Sequence, residues 1–141
     1  MGKTVAVIDD GTKTYDIKNK YGKILCTFSF NPSDTGIVPR YEEALKNIDA
    51  KVDAIKKSGK RKEEMTAEAE QYIKEQYDYL FNADVSGSFF SVMGPLSLLP
   101  SGVLFSQHVM IVIGKLVEEE TGKRIKKLND RISKYTKKYH E

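Results

Sequence analysis

A single cysteine, Cys26, is all the chain carries, so no internal disulfide can form and stability has to come from a packed core. Cys26 falls in a strand-like stretch with Phe28 and Phe30, with no obvious base beside it, and reads as a packed, inert thiol. Histidine is almost as scarce. His108 has Ile111 and Val112 at i+3 and i+4 instead of a second ligand, and His140 stands near the end of a helical pattern. A metal centre asks for three or four suitably spaced ligands, so His108 is expected to be a buried or interfacial packing residue. Long apolar runs are missing: the longest, residues 109–113, is far short of the roughly 18–20 residues a bilayer span needs. The first ten residues, MGKTVAVIDD, lack the apolar stretch of a signal peptide. A cytoplasmic protein without a membrane role is the expectation. The glycine that opens a phosphate-binding loop is missing ahead of both Gly2-Lys3-Thr4 and Gly11-Thr12-Lys13-Thr14, which therefore read as solvated turns. No catalytic, cofactor or metal residues are expected.

What is present is a polar chain with an apolar middle. The 141 residues suit one domain. Residues 80–117 hold two of the four prolines and only two charged side chains, Asp84 and Lys115. Charge is displaced to one end: from Lys123 onward eight basic and two acidic residues give +6, against a whole-chain charge of +3.

Residues 3–30 read as a three-stranded antiparallel meander. Val5 to Ile8 would be the first strand, Asp10-Gly11 a hairpin turn, Tyr15 and Ile17 the second strand and Tyr21-Gly22 the next turn. Ile24, Cys26, Phe28 and Phe30 then alternate with Leu25, Thr27 and Ser29, the period-2 pattern of a half-buried strand. Pro32 ends it, and Ser33 or Asp34 is a candidate cap for a helix that has Pro39 in its first turn. Tyr41, Leu45, Ile48, Val52 and Ile55 make one apolar stripe to about Lys57. A second helix is expected over 63–81, a short one through Phe89-Phe90 and Val92-Met93, and a long one from Val103, capped by Ser101, to about Tyr139. Thr121-Gly122 is the expected bend in the last. The fold class is α+β, mainly α: a short N-terminal meander followed by about four helices, the last long and basic. A single domain over 1–141 would comprise the meander (3–30), a helical core (36–122) and a basic helix (123–141) able to project.

The breaks at Gly94-Pro95 and Pro100-Ser101-Gly102 cut the apolar middle, so it cannot be one straight helix. The segment 94–102 is the expected docking place for a protein partner, with Phe89, Phe90, Met93, Leu96, Leu98, Leu99 and Phe105 as the partner-binding side chains. Lys123, Arg124, Lys126, Lys127, Arg131 and Lys134, interleaved with Tyr135 and Tyr139, are the candidate polyanion contacts. Glu118-Glu119-Glu120 reads as a solvated face, with Lys123 or Arg124 available to pair at i+4.

Phe30-Asn31-Pro32-Ser33-Asp34, the run Tyr79-Leu80-Phe81-Asn82-Ala83-Asp84-Val85, Phe89-Phe90, Met93-Gly94-Pro95 and Leu99-Pro100-Ser101-Gly102 together resemble a group of small tail-assembly, chaperone-like proteins of phages and prophages of Gram-positive bacteria. The resemblance runs from about residue 28 to 139. It implies a non-enzymatic protein of the host bacterial cytoplasm, prone to oligomerise, that binds hydrophobic helical segments of a tail protein such as the tape measure. It brings no catalytic or cofactor residues. Two other roles fit the same residues: a small phage-encoded inhibitor of a host defence protein or nuclease, and a nucleic-acid-binding protein that uses the basic C-terminal helix.

Overall fold

A computed structural model describes residues 2–140, with side chains described for 2–123. Two antiparallel strands, β1 (Lys13–Lys18) and β2 (Ile24–Phe30), precede four helices: α1 (Ile37–Lys56), α2 (Lys62–Phe81), α3 (Ser86–Phe89) and α4 (Phe105–His140). The class is α+β, mainly α.

The expected three-stranded meander is a two-stranded hairpin. Register runs from Lys13 opposite Phe30 to Lys18 opposite Ile24, with a bulge after Ile17. The bulge sets Leu25 outside the alternation, while Phe28 and Phe30 turn inward and Thr27 and Ser29 outward. Gly22, at φ +84°, makes the turn, closed by Asn19, whose carbonyl accepts the Gly22 N–H at 3.0 Å and whose N–H donates to Lys23 O at 2.9 Å. Residues 3–8 form no strand; Val5, Val7 and Ile8 are 83–94% exposed. Asp10-Gly11 is not a hairpin turn, because the Gly11 and Thr12 N–H groups bond to the Asp9 and Asp10 carboxylates at 3.0 and 2.9 Å. These local side-chain bonds fix the corner at 9–12 in a shape that does not turn residues 3–8 back beside β1.

Neither Ser33 nor Asp34 caps α1, which starts after Gly36 without a side-chain cap bond. The cap position is Gly36, which has no side chain to offer, so Ser33 and Asp34 stand too early in the chain to fill it. Asp34 acts one step earlier: its Oδ1 accepts the Gly36 N–H at 2.9 Å and its Oδ2 accepts from Arg40 at 2.7 Å. The apolar stripe of α1 is turned slightly from the expected one. It buries Ile37, Ala44 and Ile55 and leaves Leu45 exposed.

α2 packs on α1 as a helical hairpin and buries Ala69, Ile73, Tyr77, Leu80 and Phe81. It ends at Asn82, which adopts the left-handed conformation (φ 50°) that asparagine tolerates. Asp78 then reaches across the corner, accepting the Val85 and Ser86 N–H groups at 2.9 and 2.8 Å and the Ser86 hydroxyl at 2.8 Å. That ties α3 to the end of α2 and starts it earlier than the short helix expected through Phe89-Phe90 and Val92-Met93, with only Phe89 in common.

Residues 94–104 are folded tightly although they form no helix. Leu98 and Leu104 bridge, Phe105 N–H donates to Ser97 O at 2.7 Å and Ser106 N–H to Pro95 O at 3.0 Å. Ser101 does not cap α4; the Gln107 side chain accepts the Leu104 N–H at 3.0 Å instead. α4 is one helix of 36 residues, about 54 Å long, with no break at Thr121-Gly122.

Candidate binding groove

Aromatic packing brings three sequence-distant segments together. Phe28 of β2 lies 4.7 Å from Phe89 of α3, and Phe30 lies 5.0 Å from Phe81 of α2, ring centroid to centroid. Phe90 continues the chain of rings to Tyr77 (5.0 Å) and to Phe105 of α4 (6.1 Å). The buried Tyr77 hydroxyl donates to the Ser106 carbonyl, locking α2 to the start of α4. Desolvation raises the Tyr77 hydroxyl well above the ordinary tyrosine range, so it stays a donor at any physiological pH.

The rings leave a cleft of about 460 Å³ between the hairpin, residues 92–99 and the first turns of α4. That volume lies within the range of small-ligand and peptide-anchor pockets. Phe89, Phe105 and Val109 form its buried base; Ile17, Leu25 and Cys26 come from the hairpin; Val92, Met93 and Leu99 from the stretch between α3 and α4; His108 and Val112 from α4. Lys18 and Lys20 also border it. Burial raises the Cys26 thiol, so the group stays protonated and acts as an apolar wall. Among the described residues no cluster of three or more His, Cys, Asp or Glu is placed to hold a metal ion.

Of the seven side chains expected to meet a partner, Phe89, Met93, Leu99 and Phe105 line this cleft. Two of them need correction. Phe89 is 0% exposed and Phe105 is buried, because their rings hold the core together; they supply depth, not free surface. Met93 (38% exposed) and the half-buried Leu99 are the accessible members. Leu96 faces a different hollow of about 310 Å³, with Ile48, Val52 and Ile73. Phe90 is spent on ring contacts, and Leu98 projects into solvent at 71% exposure. Of the two settings expected for His108, buried or interfacial, the structure removes the first: the side chain is exposed, at the cleft. The hairpin wall went unanticipated. Its only signal is the pairing of Ile17 with Cys26 across the ladder, which needs the correct register to be seen.

A second apolar cleft of about 390 Å³ opens between α1 and α4, lined by Val38, Tyr41, Gly114, Val117 and Thr121. On the same helix the glutamate run is not uniformly solvated. Glu118 and Glu119 are exposed, but Glu120 is buried and pairs with Lys13 at 3.2 Å and Lys123 at 3.8 Å. Lys123 is the one expected polyanion contact whose side chain is described, and it is exposed. The side chains of Arg124, Lys126, Lys127, Arg131 and Lys134 lie outside the described residues, on the helical backbone of α4.

No helix among the described residues is long and apolar enough to cross a membrane. A scan against family models and searches of curated proteins and of solved structures found no match to this chain.

Proposed function

We propose that the protein is a non-enzymatic, chaperone-like binding protein that holds an apolar helical segment of a partner in the cleft between its β-hairpin and α4. The observation that carries this reading is the chemistry of that cleft: its lining is aliphatic and aromatic, Met93 and Val112 are exposed at it, and charge enters through Lys18 and Lys20. An amphipathic helix places apolar anchors at i, i+3 or i+4 and i+7 into such a groove, while acidic residues on its flank meet the lysines. Methionine suits a surface that must accept different shapes, since its unbranched thioether repacks at little cost. The resemblance to tail-assembly proteins supplies the partner: a hydrophobic helix of a phage tail protein such as the tape measure, held in the host bacterial cytoplasm until the tail tube forms around it. Co-expression with the tape-measure protein of the same tail-gene cluster is the test. A complex that survives affinity purification supports the reading, and a tape measure that never co-purifies removes it.

A second reading, nucleic-acid binding, draws support from the continuity of α4 through Gly122, which carries Lys123, Arg124, Lys126, Lys127, Arg131 and Lys134 on one uninterrupted helix. Phosphate contacts are strongest at low salt. A gel shift with DNA and RNA at two salt concentrations decides it: no shift at the lower one ends this alternative.

A further inference from the structure

Residues 3–8, Lys-Thr-Val-Ala-Val-Ile, have the composition of a strand and none of its bonds. Among the described residues, no hydrogen bond reaches any of these six. Val5, Val7 and Ile8 stand 83–94% exposed. The sheet beside them is incomplete in a matching way. Among the described residues it has two strands, so each has one edge without a strand neighbour, and no described backbone group outside the hairpin bonds to 13–18 or 24–30. Two unpaired rows of N–H and C=O groups in one molecule are a template for pairing between molecules.

The corner at 9–12 keeps the segment from satisfying its own sheet. Asn31 Nδ2 donates to the Asp10 carbonyl at 2.7 Å, and Gly11 sits at φ +87° so close to Ser33 that a Cβ there would come within 2.5 Å of the Ser33 hydroxyl oxygen. The Gly11 and Thr12 N–H groups are already bound to the Asp9 and Asp10 carboxylates. The chain is thereby pinned beside residues 31–33, past the end of β2, and does not reverse onto β1.

We propose that residues 3–8 form a third β-strand on the free edge of β2 in a second copy of this chain, and that two copies exchange these segments reciprocally. Charge selects this edge. Antiparallel pairing with β2 brings Asp9 and Asp10 to the hairpin tip, where Lys18, Lys20 and Lys23 gather without an acidic residue among 17–24. Antiparallel pairing with β1 would instead bring Lys3 to that basic tip. Length agrees: six residues against the seven of β2. Ile8 then meets the exposed Ile24 and Tyr21, the apolar side chains that the hairpin tip leaves uncovered. Reciprocal exchange about a two-fold axis closes, which makes the product a dimer and not a fibre. The pairing shares the hairpin tip with the cleft between the hairpin and α4, because Lys18 and Lys20 border both; Val7→Pro lies outside the cleft and separates the two.

Light scattering on the full chain as it elutes from a sizing column tests this, alongside Val7→Pro and Lys20→Glu/Lys23→Glu variants. Val7→Pro removes a strand N–H from an exposed segment without hydrogen bonds in the monomer, so its circular dichroism and melting should match those of the wild-type chain diluted to the monomer. Expected are a wild-type mass twice the 16.0 kDa of one chain, a monomeric Val7→Pro variant, and a charge-reversed variant with a dimer dissociation constant at least about tenfold higher. Amide hydrogen exchange at residues 4–8 should be slow in the dimer and fast on dilution. A wild-type chain that stays monomeric at every concentration, or a Val7→Pro variant that dimerises like wild type, overturns the proposal.

Discussion

The hydroxyl of Tyr41 on α1 donates to the Met110 carbonyl of α4 at 3.0 Å and lies directly over Gly114, where a Cβ would approach its oxygen to 2.5 Å. Gly114 therefore lets the two helices close around a polar anchor. On helix propensity alone, Gly114→Ala should stabilise by about 1 kcal/mol. We expect the opposite sign, a loss of about 1 kcal/mol, because the ring must shift and its hydrogen bond break. Urea denaturation of Gly114→Ala in the wild-type and Tyr41→Phe backgrounds checks it: the penalty should shrink once the hydroxyl is gone.

The three adjacent glutamates of α4 should not behave alike. Glu120 is buried against Lys13 and Lys123, whereas Glu118 and Glu119 face solvent. Glu120→Gln weakens charge-assisted bonds that join the long helix to the first strand, and should cost about 1–2 kcal/mol. Glu118→Gln and Glu119→Gln should each stay within about 0.5 kcal/mol of wild type. Three parallel denaturant titrations give the comparison.

Acid should unfold the protein partly through Asp34. The Arg40 guanidinium beside it and the Gly36 N–H hold its carboxyl below the ordinary value of 3.8. A carboxyl depressed in the folded state adds stability that is fully present above the unfolded value and is lost as pH falls through the lower, folded one. Asp34→Asn should lower stability at neutral pH and flatten the acid limb below pH 3.8. Thermal melts from neutral pH downward measure both effects.

Core and surface roles in the apolar middle separate by mutation. Phe89→Ala removes a fully buried ring packed against Phe28, Tyr77 and Phe81, and should cost about 3–5 kcal/mol. Leu98→Ala, at an exposed position, should stay within about 0.5 kcal/mol. Equal effects would mean that the apolar middle is not organised as described.

That pair also marks where sequence pattern stops informing. Phe89 and Leu98 are both large and apolar, both lie near a proline break, and nothing local says which is inside. The helices were legible because Ile48, Ile73, Val109 and Ile113 recur at helical spacing, and the hairpin because Phe28 and Phe30 alternate with Thr27 and Ser29. The first expected strand failed for a local reason: Asp9 and Asp10 bind the following N–H groups. The cap on α1 failed because the cap position fell on Gly36, which has no side chain. The cleft was half legible. Met93 adjoins and Leu99 sits in the segment marked by its prolines, but the opposite wall comes from Ile17 and Cys26, whose position depends on a bulge and a ladder register. Glu120 was hidden by its two solvated neighbours, since burial on a helix face depends on what packs there.

The central claim is that the cleft between the hairpin and α4 holds a hydrophobic helix of a tail protein. Met93 and Val112 line it and are exposed, so charging them should leave the core intact. The direct measurement is quantitative co-purification of the tape-measure protein with the wild-type chain and with Met93→Glu/Val112→Glu, each confirmed folded by its melting transition. The account predicts a stoichiometric wild-type complex and at least about a tenfold loss for the variant. No wild-type complex, or the same amount with the folded variant, would contradict it.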